Sequence, residues 1–205
     1  MAFSGLIASD DRFRGESTSG HNPVATFSAS YDGSSGFYLG ASFTAVASDD
    51  GIEPLRSIQY VGYAKRLKSG VSLDFGITHR ISSHYYTGEY AKQFTEAYVG
   101  IVGRRVSSHL FFSPDYDGHG GDSLYGEVES LLLDRGNWSL SAHAGALVPP
   151  REAPAQSRKV ELDGRIGITR RFGRTALSLN WIGATPGHDS NRWRRSAVVS
   201  LSHSF

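Results

Sequence analysis

Carboxylates, guanidinium groups and imidazoles recur at alternate positions along this 205-residue chain. Asp10, Arg12 and Arg14 form one such row, Glu127 and Glu129 a second, and Glu161, Asp163 and Arg165 a third; Lys65, Asp74, Arg80, Glu96 and Arg171 sit in similar alternating surroundings. A spacing of two places side chains on one face of an extended strand. Rows of this kind, turned toward one another, would line a pore that selects solutes by charge, or fill a plug that only satisfies its own charges. Glu129 and His143 make a sharper pair. Read as a three-residue hairpin loop, Arg135-Gly136-Asn137 pairs Asp134 with Trp138, Leu132 with Leu140 and Val128 with Ala144, and so sets Glu129 opposite His143. A carboxylate beside an imidazole can carry protons in acid–base catalysis. More often such a pair is structural, and that is the reading taken here.

Three other groupings have chemistry in them. Ser and His hydrolyse esters where nucleophile, base and orienting group converge. His79 with Ser82 and Ser83, and Ser107, Ser108 and His109, are the candidates for an outer-leaflet lipid hydrolase of the phospholipase or lipid A deacylase type. The chain has eight His and many Ser, so such neighbours arise by chance, and no catalytic residue is assigned. Asp115, Asp117 and Asp122 lie in a glycine-rich stretch faintly like a calcium loop, but a third ligand and the terminal Glu are missing. It reads as an exposed loop, and no metal or cofactor is expected. Arg192, Trp193, Arg194 and Arg195 stand where a strand leaves a surface; guanidinium groups there would bind lipopolysaccharide phosphates, with the indole at the interface.

The elements that must position these residues are strands. In Val71–Ile81, Val71, Leu73, Phe75, Ile77, His79 and Ile81 alternate with Ser72, Asp74, Gly76, Thr78 and Arg80. The same period of two runs through a first segment at Ala2–Arg14, where Asp11 spoils the apolar row, and through Pro23–Asp32, Phe37–Ala45, Thr95–Ile101, Trp138–Ala146, Leu162–Thr169 and the terminal Ser196–Phe205. In the segment after Leu55, Ile58, Tyr60, Gly62 and Ala64 are read as the outward row. Short turns at Gly33–Gly36, Lys68–Gly70, Arg104-Arg105, Arg135–Asn137 and Gly173-Arg174 alternate with longer loops, among them Gly15–Asn22, an acidic Ser48–Leu55 and the longest, Pro149–Lys159. The last is the best candidate by length to fold inward. About twelve strands of roughly ten residues result, the length of a tilted bilayer-spanning strand.

The composition agrees. A mean hydropathy of −0.30 would suit a water-soluble protein, but half of each spanning strand of a barrel faces a polar lumen. No apolar run approaches the roughly 20 residues of a spanning helix. With no Cys there are no disulfides or thiolate metal sites, and a net charge of +1 argues against a nucleic-acid partner. The rival architecture, a soluble β-sandwich, would expose polar outer faces, whereas here the apolar row persists in nearly every strand. Aromatics gather at strand ends (Tyr31, Phe37, Trp138, Phe172, Phe205), as interfacial girdles do.

With the strands placed, Ser9-Asp10-Asp11-Arg12-Phe13-Arg14-Gly15-Glu16-Ser17 resembles the S-D-Y-x-F-R-G-x-S opening of the TorF-type family of outer-membrane porins, the Gcw_chp-like β-barrels. Gly36-Phe37-Tyr38-Leu39-Gly40, Tyr60-Val61-Gly62-Tyr63, Glu96-Ala97-Tyr98-Val99-Gly100, Tyr125-Gly126-Glu127 and the Ser-His-Ser-Phe ending follow in the family's order. Asp11 replaces the family's aromatic. The reading is therefore a single all-β domain over residues 1–205, a closed antiparallel up-and-down transmembrane barrel of about twelve strands in a Gram-negative outer membrane. Both termini are expected on the periplasmic side, and the sequence reads as a mature form without its signal peptide. The expected function is passive passage of small solutes or ions through a narrow lumen lined by the inward charges and His143, with membrane lipids and lipopolysaccharide as surroundings. The alternatives are the lipid hydrolase and a non-conducting structural or interaction barrel.

Overall fold

Alternating strands with one apolar face can satisfy every backbone group in lipid only if the sheet closes on itself. The computed structural model, which describes residues 1–83, 85, 92–116, 121–148, 159–185 and 194–205, shows that closure. Its strands are β1 (Ala2–Ala8), β2 (Arg12–Phe13), β3 (Glu16–Ser17), β4 (Val24–Asp32), β5 (Phe37–Ser48), β6 (Gly51–Arg66), β7 (Ser72–Ser82), β8 (Lys92–Val102), β9 (Val106–Ser113), β10 (Ser123–Arg135), β11 (Trp138–Val148), β12 (Glu161–Phe172), β13 (Thr175–Ala184) and β14 (Arg194–Ser204). Twelve of them, β1 and β4–β14, form a closed antiparallel barrel in which β1 pairs with both β4 and β14. At the seam Ser4 lies opposite Ser204 and Ala8 opposite Ser200. The C-terminal Phe205 amide donates to the Phe3 carbonyl at 3.0 Å, so both termini sit at the end that carries the short turns.

The barrel is apolar outside and polar within. Phe75 and Ile77 are exposed on the outer row of β7, while Arg80 between the strands' inner walls is only 6% exposed. Ile166, Trp181, Leu201 and their row-mates repeat this around the circumference. A continuous apolar band of that kind is a lipid-facing surface. Aromatic rings ring its short-turn end: Phe37 packs on Tyr63 at 4.9 Å, and the Arg170 guanidinium spans Trp138 and Phe172 at 5.1 and 4.8 Å.

Four local expectations change. The first strand ends at Ala8, not Arg14; residues 12–17 form the separate β2–β3 pair. The acidic segment is no loop: β5 and β6 run on as a tall hairpin with Ser48 opposite Gly51, leaving only Asp49 and Asp50 in the turn. A bulge hid this alternation. Arg56 pairs with Thr44 and Pro54 with Ala45, so Leu55 is the extra residue. The facing of β6 is reversed: Val61 pairs with the outward Leu39 and Ile77, and Lys65 with Leu73, which places Ile58, Tyr60, Gly62 and Ala64 inside. The inward row, Ile58, Tyr60, Gly62 and Ala64, is the less polar of the two, since Gln59 and Lys65 share the outward row with Val61 and Tyr63, so the neighbouring strands override the composition of β6. Finally, Glu129 does face His143, but by another route. The β10–β11 turn has two residues, with Arg135 opposite Trp138, and a bulge at Leu132 restores the offset, so that Leu133, not Leu132, faces Leu140.

Candidate functional site: the barrel lumen and its inserted hairpin

Inward glycines determine how the lumen is filled. A Cβ on Gly40 would strike the Tyr60 ring, one on Gly62 the Tyr38 ring, one on Gly76 the Tyr98 hydroxyl, and one on Gly145 the Tyr125 hydroxyl. Each ring therefore lies over a bare stretch of a neighbouring strand. The ring hydroxyls reach fixed partners: Tyr38 donates to Asp74 at 2.5 Å and meets Tyr98 at 2.5 Å, and Tyr125 donates to Asp163 at 3.0 Å. The opposite wall, from β13 through β14 and β1 to β4, carries small inward residues such as Ser178, Ser200, Ser202, Ser4 and Ser28.

Into this space folds the segment after β1. At Ser9 the chain leaves the wall; the Ser9 hydroxyl accepts the Val199 amide at 3.1 Å and so keeps the seam's ladder satisfied. Asp10 then organises the hairpin from within. Its carboxylate accepts Arg12 Nε at 2.8 Å, the Ser17 hydroxyl at 2.6 Å and the Ser19 hydroxyl at 2.9 Å. Asp11 accepts Thr18 and is ion-paired with Arg56 of β6, which ties the hairpin's base to the wall. At the tip both Arg14 (φ 50°) and Gly15 (φ 79°) are left-handed, the geometry of a tight two-residue turn. A Cβ on Gly15 would lie 2.8 Å from Ala184 Cβ and 2.9 Å from Asp163 Cβ, so the tip rests against β12 and β13. The Arg14 guanidinium is bound to Glu96 at 2.6 Å and lies 4.0 Å over the Tyr125 ring, and Arg80 stacks on Phe13 at 3.6 Å. The motif that carries the family resemblance is therefore this hairpin, fixed across the lumen.

Beside the tip lies a cavity of about 350 Å³. Of the expected lumen residues, Arg12, Arg14, Arg80, Glu96, Glu127, Glu129, His143, Asp163 and Arg165 all line it. Their charges are matched in pairs. Arg165 bonds Glu129; His143 lies between Asp163 (2.8 Å) and Glu129 (3.3 Å); His109 lies between Asp74 (3.2 Å) and Glu127 (3.7 Å). Asp10 is buried in the hairpin, and Glu161 is on the inner row near it, opposite Leu147. Arg171 is at the rim, exposed and 3.5 Å from Asp134. Lys65 is the correction: opposite Leu73 on the outer row, it points away from the lumen. Asp11, Arg56, Phe13 and the inward tyrosines were missed. Asp11 had left a signal, as the one charge breaking the apolar row.

The other groupings are not assembled. His79 is on the outer row, its Nδ1 2.9 Å from the Thr95 hydroxyl, whereas Ser82 is inward and buried. Ser108 faces out while Ser107 and His109 face in. Asp115 bridges to Gly121, and Asp117 lies outside the described residues, as do Arg192, Trp193 and most of Pro149–Lys159. The segment found folding inward is the one after β1. Arg195 stands opposite Gly183 at the long-loop end of the outer row.

A family model described as "Bacterial protein of unknown function (Gcw_chp)" matches residues 2–202, in line with the resemblance read from the ordered motifs. Among solved structures, the NanC porin is 10% identical with a TM-score of 0.66 over 98% of this chain and 99% of its own. The KdgM porin is 11% identical with a TM-score of 0.61 over 100% and 99%. The COG4313 outer membrane channel from Pseudomonas putida F1 is 10% identical with a TM-score of 0.59 over 100% and 95%. At these identities the likeness establishes a shared barrel fold. No match was found among curated proteins.

Proposed function

We propose that this chain, which belongs to the Gcw_chp family, is an outer-membrane channel that passes small solutes through a narrow lumen whose constriction is the β2–β3 hairpin. The observation that carries this reading is a closed barrel with an apolar exterior that keeps a cavity of about 350 Å³ beside a hairpin anchored at base and tip. The hairpin fills only part of the lumen: the cavity has Arg12–Gly15 on one side and Arg80, Glu96, Glu127 and His143 of the wall on the other. The KdgM porin has also been solved in complex with disordered oligogalacturonate, which supports small solutes as the class of cargo. The short-turn end, with both termini, is placed in the periplasm, and Arg195 at the other end is placed among lipopolysaccharide phosphates.

Single-channel recording of the refolded protein in a planar bilayer tests the reading. Stable, reproducible conductance steps are expected. Absence of steps from protein shown by heat-modifiable migration to be a folded barrel would refute the channel and leave a closed structural barrel.

A further inference from the structure

The cavity's chemistry indicates what would bind there. Its lining carries four guanidinium groups (Arg12, Arg14, Arg80, Arg165) and four carboxylates (Glu96, Glu127, Glu129, Asp163), with both ring nitrogens of His143 turned to carboxylates, so positive and negative groups are nearly balanced. The charges are also committed: Arg14 to Glu96, Arg165 to Glu129, Arg12 to Asp10, Asp163 to His143 and Glu127 to His109, while Arg80 is stacked on Phe13. An ionic ligand would have to displace one of these partners and leave a charge unpaired inside the barrel, which is costly. A purely apolar ligand would strip water from the same charged atoms without replacing its hydrogen bonds. A neutral molecule rich in hydroxyls meets neither penalty. Each hydroxyl donates to a carboxylate oxygen and accepts from a guanidinium N–H. Phe111 adds an aromatic ring to the same lining, suited to the C–H face of a sugar ring. The volume is at the lower end of the roughly 300–1,000 Å³ typical of small-ligand sites, which suits one or two sugar rings.

We infer that the cavity beside the hairpin is a binding site for a neutral, hydroxyl-rich solute of mono- or disaccharide size. This deepens the channel reading and rests on it for its transport meaning, but binding can be measured separately. Maltose and sucrose serve as neutral probes and galacturonate as the anionic one, each titrated onto wild-type single channels. Saturable, concentration-dependent block by a neutral sugar is expected, with galacturonate at least about tenfold weaker because it must break a committed pair. The double variant Glu129→Gln/Arg165→Met removes one donor–acceptor pair without stranding a charge, and should weaken the block about tenfold while the barrel stays heat-modifiable. Conducting channels that ignore both neutral sugars, or that galacturonate blocks as strongly, would overturn the inference while leaving the channel intact. If no conductance is seen, the channel reading fails, and isothermal titration of the same sugars into detergent-solubilised protein decides the site alone. Saturable heat with a neutral sugar supports it, and no heat with either overturns it.

Discussion

Replacing Gly15 by Ala tests the hairpin's role without altering any lumen charge. Gly15 has φ 79°, where an L side chain costs about 1–2 kcal/mol. Its Cβ would also come within 2.8 Å of Ala184 Cβ, 2.9 Å of Asp163 Cβ and 3.1 Å of the Gly183 carbonyl oxygen, all firm parts of β12 and β13. Forcing an atom into such packing costs about 1–3 kcal/mol more. The seated state of the hairpin should therefore lose about 2–5 kcal/mol. At about 1.4 kcal/mol per factor of ten, its seating equilibrium moves by roughly thirtyfold to a few thousandfold. Gly173→Ala is the matched control. Its φ is 62°, but nothing lies within 4 Å of the new Cβ, so it carries the backbone cost without the collision. Single-channel recording should show Gly15→Ala with a larger or noisier conductance as the tip leaves β12 and β13, and Gly173→Ala with wild-type steps. Wild-type conductance from a folded Gly15→Ala barrel, or an equal change in Gly173→Ala, would refute the hairpin as the constriction.

Glu96→Gln leaves the Arg14 guanidinium, whose side chain is 8% exposed, without its carboxylate. Seating should weaken by up to about 3–5 kcal/mol, less whatever lumen water recovers, and protease cleavage within residues 9–23 should accelerate, whereas Arg14→Met/Glu96→Leu should return toward wild-type resistance. Gly62→Ala drives a Cβ into the Tyr38 ring, while Gly126→Ala on the outer row meets only Leu110 Cδ1 at 3.6 Å. Urea unfolding from lipid vesicles should show the first destabilised by about 1–3 kcal/mol and the second nearly unchanged; equal effects would mean the rings do not lie over the inner glycines. Ile166, 58% exposed at the middle of β12, faces lipid. Ile166→Arg should cost about 2–4 kcal/mol in the same assay, and Ser200→Arg on the inner row less than about 1 kcal/mol, an ordering that a water-soluble barrel would not produce.

The barrel was legible from the sequence because its governing constraint is local. One apolar face per strand, period two, and short turns alternating with longer connections suffice to place β7, β8, β11, β12, β13 and β14 with their facing correct. Facing failed in β6, where the row with Gln59 and Lys65 is the one that faces out. Within Ile58–Lys65 the polar Gln59 and Lys65 point to the wrong facing; what decides it is Gly62, which must sit beneath Tyr38, and that is a contact between strands. Bulges hid for a related reason. One extra residue at Leu132 compensates a turn one residue shorter, so Glu129 meets His143 under either description.

The hairpin is the deepest of these failures, and it shows what periodicity cannot see. Ser9–Ser17 alternates as a wall strand does, because a two-stranded hairpin obeys the same period, and so Ala2–Arg14 read as one spanning segment. Its Phe13 looked like a lipid-facing residue and its arginines like wall-borne pore charges. Only Asp11 was out of place, and it is the residue that joins the hairpin's base to Arg56. A charge in an apolar row is costly in lipid, so the anomaly should count as a sign that the row had left the membrane wall. The opening motif of the family resemblance also falls on these residues. Wall strands of a barrel need only the alternation of polar and apolar side chains. A hairpin held across the lumen needs particular ones: Asp10 at its centre, a left-handed Arg14-Gly15 tip, and Arg14 reaching Glu96 across the barrel. The hairpin's residues are thus fixed by particular contacts, whereas a wall position is fixed only by the side it faces.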